Sequence, residues 1–136
     1  MKPAARVGDA VDAIDTPALV IDLDALERNI ARMAAYAGEH GLRLRPHAKT
    51  HKCAEIARRQ IAAGAVGVCV QKLSEAQALA EAGIGDIYVS NQIVDAAKLA
   101  ELAALAGRVK LAIAVDSALG VDRLAAALKA AGSTLD

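Results

Sequence analysis

The side chains best suited to chemistry in this 136-residue chain lie close together, in Leu42-Arg43-Leu44-Arg45-Pro46-His47-Ala48-Lys49-Thr50-His51-Lys52-Cys53. A parallel strand buried on both faces reads as a continuous apolar run. This segment alternates instead. Leu42, Leu44, Pro46 and Ala48 share one face, and Arg43, Arg45, His47 and Lys49 share the other. Arg45, His47 and Lys49 are therefore expected to converge toward the carboxyl end of a strand, where α/β folds bind ligands. Such a cluster of cations calls for an anionic partner, a phosphate or a carboxylate. Positive neighbours and burial also favour a neutral amine at Lys49, the form that Schiff-base chemistry requires. Read alone, the same alternation fits a solvent-facing edge strand with hydrated charges. A metal site from His47, His51 and Cys53 is a weaker reading. Pro46 keeps Arg45 out of a helix, and no Glu stands between the two histidines to make the zinc-helix pattern.

Further polar residues follow other apolar runs. Gln71 comes after Val70, Ser90-Asn91-Gln92 after Val89, and Asp116 after Val115. Each is expected on the ligand-facing side, with helix capping the simpler role for Asp116 and Ser117. Gly64-Ala65-Val66-Gly67 and Gly83-Ile84-Gly85 precede strands, so they read as helix ends and not as phosphate loops. His40, beside Gly41, reads as a helix-end residue facing the dipole.

The elements that must position these residues repeat regularly. Strands are expected at Ala18–Ile21, Leu42–His47, Ala65–Val70, Asp86–Ser90 and Val109–Val115, with centres about 24, 24, 21 and 24 residues apart. Helices fill the gaps. Asp24 with Glu27 and Ser74 with Gln77 read as capping boxes, and Thr50 as the cap of the helix running to Gly64. The fourth helix runs from about Val94 to Gly107 and the fifth from Asp116 or Ser117 to Gly132, with a left-handed glycine expected after every helix. Strand and helix alternating at this spacing indicate an α/β fold with parallel strands.

Composition narrows the function. Sixteen basic residues balance sixteen acidic ones, and the chain has no Trp, no Phe and two Tyr. Neither a basic stripe nor stacking aromatics support nucleic-acid binding. No run of 18 uncharged apolar residues supports a membrane span, and Met1–Asp15 lacks the apolar core of a secretory signal. Cys53 and Cys69 read as free thiols of a reducing cytoplasm. Residues 1–14 read as a tail and 15–136 as the folded part.

Four stretches carry a resemblance to a known family: Asp15-Thr16-Pro17-Ala18-Leu19-Val20-Ile21-Asp22-Leu23-Asp24, the Leu44–Cys53 run, Val68-Cys69-Val70-Gln71-Lys72-Leu73-Ser74-Glu75-Ala76, and Ser90-Asn91-Gln92-Ile93-Val94. Together they resemble the D-threonine aldolase and D-serine dehydratase family, related to 3-hydroxy-D-aspartate aldolases and more distantly to alanine racemase. The resemblance implies a pyridoxal-phosphate enzyme built on an alanine-racemase-type (β/α)8 barrel plus a β-rich domain. Lys49 would carry the cofactor, with Arg45, His47, Gln71 and Asn91 as cofactor-binding positions. It implies a lyase cleaving D-3-hydroxy-amino acids, D-threonine to glycine and acetaldehyde. Alternatives are a D-serine dehydratase, a 3-hydroxy-D-aspartate aldolase, or a non-catalytic cofactor-binding barrel. It further implies a cytoplasmic homodimer and a divalent metal, for which no ligand is matched in this chain. A full barrel takes about 250 residues, so the chain is expected to hold roughly its first half. The Ala18–Ile21 strand is then expected to join the β-rich domain.

Overall fold

The computed structural model describes residues 5–135. Residues 1–4 of the expected tail lie outside these. Residues 5–13 are exposed and hold one 3-10 turn, Val11–Ala13.

Three parallel strands form the sheet: β1 (Val68–Val70), β2 (Asp86–Val89) and β3 (Lys110–Ile113), in the order β1-β2-β3. Each is followed by a helix: α3 (Leu73–Glu81), α4 (Ala96–Ala106) and α5 (Ala118–Ala131). Two helices come earlier, α1 (Leu23–Glu39) and α2 (Ala54–Ala62). Consecutive strands pair with their neighbours, as in a segment of a wound α/β barrel.

Register divides the sheet into two unlike faces. Val68, Ile87 and Leu111 align across the three strands, as do Val70, Val89 and Ile113. Side chains alternate along a strand, so these six share one face. Val68, Val70, Ile87 and Val89 are fully buried and Leu111 nearly so, in a cluster with Leu73, Leu79, Leu99, Leu102 and Leu105. Burying each such Leu or Ile contributes about 1.5–3 kcal/mol. On the opposite face Cys69, Tyr88 and Ala112 align, and beneath them Asp86 aligns with Lys110.

Segment 42–48 lies beside β1, but as a ragged fourth strand. His47 forms an isolated parallel bridge with Cys69. The Cys69 amide donates to the Pro46 carbonyl at 2.8 Å, and the Ala48 amide donates to the Cys69 carbonyl at 2.7 Å. Further back, Val66 and not Gly67 donates to Leu44, one residue out of that register. Pro46 has no N–H of its own. The slip and the missing donor explain why the expected Leu42–His47 strand is not continuous.

Ala18–Ile21 forms no ladder among the described residues, and Leu19, Val20 and Ile21 are exposed. The expected caps also move. Asp22, not Asp24, accepts from the Ala25 amide at 2.9 Å, because α1 starts at Leu23. Thr50 caps nothing; it sits in a turn, and α2 starts after Cys53. The Ser74–Gln77 box is replaced by Glu75, which accepts from the Gln71 and Lys72 amides. Asp95 and Ser117 cap α4 and α5 through the Lys98 and Gly120 amides. Gly132 ends α5 in the left-handed region, φ 63°, whereas Gly107 ends α4 at φ −75° and needs no such freedom.

Candidate functional site

The polar face of the sheet is built in rows. At the lowest row Arg45 forms an ion pair with Asp86, the first residue of β2. The guanidinium reaches past β1, which lies between the two. Gly67 permits this: a Cβ there would press on the Asp86 carbonyl and stand 2.6 Å from Arg45 Nη1. Both charged side chains are about a quarter exposed, at 26% and 24%. Arg45 is therefore committed to the amino end of the sheet and does not converge with Lys49. Its charge is also offset by Asp86, so it does not supply the cationic crowding expected around the lysine.

The next row holds His47, Cys69 and Tyr88. His47 Nδ1 accepts from the Lys49 amide at 3.3 Å, and Nε2 meets Ser90 Oγ at 3.2 Å. The Ser90 hydroxyl donates to the Val70 carbonyl at 3.1 Å. The carboxyl ends of segment 42–48, β1 and β2 are thus joined by one polar chain.

Lys49 opens a single turn of chain, closed by the Lys52 amide donating to the Ala48 carbonyl at 2.8 Å. Lys52 ends that turn at φ 49°, an uncommon conformation for a residue with a side chain. Lys49 is exposed, and among the described residues no carboxylate pairs with it. Lys52, in contrast, faces Glu75 at 3.8 Å. Burial works against the Glu75 carboxylate. The Gln71 and Lys72 amides and the Lys52 and Lys72 charges outweigh it and hold the pKa below 4.5.

Gln71 and Asn91 sit elsewhere. They line an open hollow of about 550 Å³ with Lys72, Ser74, Asp95 and Lys98. The structure thus gathers His47, Lys49 and Ser90, groups Gln71 with Asn91 in a neighbouring hollow, and turns Arg45 away. Ser90 takes the ligand-facing place expected for it at the end of β2, whereas Asp86 and Gly67 carry no sequence signal of a part in the site. Alternation marks one face of the Arg45 strand, but only the register across strands shows which residues it meets.

The His47, His51 and Cys53 metal reading does not hold. Among the described residues no group of three or more His, Cys, Asp or Glu is placed to hold a metal. His51 Nδ1 accepts from the Cys53 amide at 3.1 Å, and burial is the main cause that lowers its pKa from 6.5. His40 caps α1, bonds through Nδ1 to the Tyr36 carbonyl at 2.8 Å and stacks on the Tyr36 ring. Both cysteines are free thiols. Among the described residues no helix is long and apolar enough to cross a membrane.

Comparison with known proteins agrees with this architecture. The chain is 47% identical over its whole length to a D-threonine aldolase of an Arthrobacter species, of which it covers 36%. It is 44% identical over 90% of its length to the 3-hydroxy-D-aspartate aldolase of Paracoccus denitrificans, of which it covers 32%. The crystal structure of D-threonine aldolase from Filomicrobium marinum superposes on the entire chain with a TM-score of 0.97 at 49% identity, covering 37% of that protein. A variant of D-threo-3-hydroxyaspartate dehydratase superposes on 90% of the chain with a TM-score of 0.83 at 40% identity. The chain thus spans about a third of the length of the relatives it matches. Its three strand-helix units and ragged fourth strand are part of a (β/α)8 barrel. The family described as alanine racemase, N-terminal domain, matches residues 21–136, and the chain belongs to that family.

Proposed function

We propose that this chain is the lysine-bearing part of a pyridoxal-phosphate-dependent lyase that cleaves D-3-hydroxy-amino acids, with D-threonine giving glycine and acetaldehyde. The observation that carries the reading is Lys49. It follows the strand edge at the carboxyl end of the polar face, is exposed, and has no carboxylate partner among the described residues. An amine so placed fits the carbonyl of that cofactor. The names of the relatives support the same chemistry.

In this reading Lys49 holds the cofactor covalently and His47 lies beside the attachment point. Gln71 and Asn91 meet cofactor or substrate from the neighbouring hollow. Arg45 contributes through its pair with Asp86, as the floor of the polar face. When bound, the cofactor supplies an electron sink for the pair left on Cα as the Cα–Cβ bond breaks. The β-hydroxyl proton leaves to a base and a proton returns to Cα, so the products balance the substrate. A divalent metal, a homodimeric assembly and a cytoplasmic setting belong to the same proposal. One neighbour of known structure was solved in a metal-free form, which supports a metal in that dehydratase.

The test is product analysis on the complete protein. With added cofactor and a divalent metal, D-threonine is expected to yield equimolar glycine and acetaldehyde. Ammonia and a 2-oxo acid as the only products would show a dehydratase instead. No turnover of any D-3-hydroxy-amino acid would overturn the lyase assignment.

A further inference from the structure

The hydrogen bonds around His47 have only one consistent direction. A backbone N–H can only donate, so the Lys49 amide contact makes Nδ1 an acceptor without a proton. A neutral imidazole then carries its proton on Nε2. That N–H donates to Ser90 Oγ at 3.2 Å, and the hydroxyl proton of Ser90 goes to the Val70 carbonyl at 3.1 Å. The Ser90 hydroxyl thus accepts from the imidazole and donates to the Val70 carbonyl, which also takes the Ser90 amide at 2.9 Å. The chain of bonds starts at a fixed carbonyl of β1 and ends on the backbone of the lysine.

We propose that Ser90 and His47 are positioning residues for Lys49, with Ser90 locking His47 in the Nε2–H form so that Nδ1 stays free to hold the Lys49 amide. This deepens the proposed function, since it concerns the lysine on which that reading rests. It also changes the part played by His47. With both ring nitrogens engaged inside the protein, His47 acts on the cofactor through Lys49 and not by contact.

The need for such a tether follows from the local backbone. Segment 42–48 joins β1 by an isolated bridge, with Pro46 lacking a donor and Val66 out of register. Lys49 stands directly past that bridge, before a turn that ends in a strained residue. A regular ladder would hold it by several bonds; here the imidazole supplies one of the few that remain.

Two measurements on the complete protein test this. In the first, nitrogen-15 spectra of labelled imidazoles, read without cofactor, are expected to show His47 as a single Nε2–H form. Ser90→Ala should convert it to a mixture, and Ser90→Thr should restore the single form. A His47 that carries its proton on Nδ1, or that ignores Ser90→Ala, overturns the proposal. In the second, the rate at which pyridoxal phosphate becomes borohydride-fixed on Lys49 is expected to fall about tenfold in His47→Ala, the worth of one lost hydrogen bond. His47→Asn, which can accept from the amide two residues on, should recover most of the rate. Equal rates in all three proteins would also overturn it. Because the spectra need no cofactor, they remain decisive if Lys49 proves not to be the attachment point.

Discussion

The two faces of one three-stranded sheet are built on opposite terms. The helix-covered face aligns Val68, Ile87 and Leu111, then Val70, Val89 and Ile113; the first five are buried to 1% or less and Ile113 is partly covered. The other face aligns Cys69 with Tyr88 and Asp86 with Lys110, and gathers Arg45, His47 and Ser90 beside them. Adjacent residues in the same strand thus belong to different regimes. One face is held by area removed from water and has no direction; the other is held by a few directional contacts and is specified by them. Stability resides mainly in the first and chemistry in the second.

The largest effect is expected on the apolar face. Leu102→Ala removes a fully buried side chain of α4 and should lower the unfolding free energy of the complete protein by about 2–5 kcal/mol in a denaturant titration. A loss under 1 kcal/mol would show that the helix layer is not the main source of stability.

On the polar face the matching substitutions should cost less. Asp86→Ala leaves Arg45 unpaired at a largely covered site and is expected to cost about 1–3 kcal/mol. Gly67→Ala should cost a similar amount by overpacking, since its Cβ meets both Arg45 and the Asp86 carbonyl. Trimming Arg45 as well, in Arg45→Ala with Gly67→Ala, should recover only part of the loss, because the carbonyl remains. Full additivity in that cycle would show that Gly67 and Arg45 do not meet.

Smaller still is the N-cap of α1. Asp22→Ala should cost about 1 kcal/mol and Asp24→Ala much less, which separates the observed cap from the one expected by spacing. Ionisation gives a further test, through direction alone. His51 titrates below 6.5 in the folded protein. As pH falls below about 6.5 the unfolded chain takes up that proton first, so stability should decline and then level once the folded group also protonates. His51→Gln should flatten this decline. Glu75 acts in a lower window: its contribution is present above 4.5 and lost as pH falls through its folded pKa.

The apolar face was the more legible of the two. Its β-branched runs and the glycines past α3 and α5 set the strand-helix rhythm, and β1, β2 and β3 fall inside the expected spans. Caps shifted because Asp22 and Asp24 are equivalent donors' partners by composition, and only the start of α1 chooses between them. The lysine segment was legible as alternation and family resemblance, but its contacts were not. Arg45 meets Asp86 across 41 residues and His47 meets Ser90 across 43, distances that no local pattern encodes. The carboxyl-end convergence expected for Arg45 failed for the same reason, since a long side chain goes where an opposite charge and a glycine gap allow.

The central claim is that the polar face presents Lys49 as the attachment point of pyridoxal phosphate. Its most direct test is to reduce the cofactor-loaded complete protein with borohydride, digest it and locate the modified lysine by mass spectrometry. The account predicts one phosphopyridoxyl group on Lys49, absent from Lys49→Ala. The same adduct on Lys52 or on any other lysine, or its survival in Lys49→Ala, would contradict it.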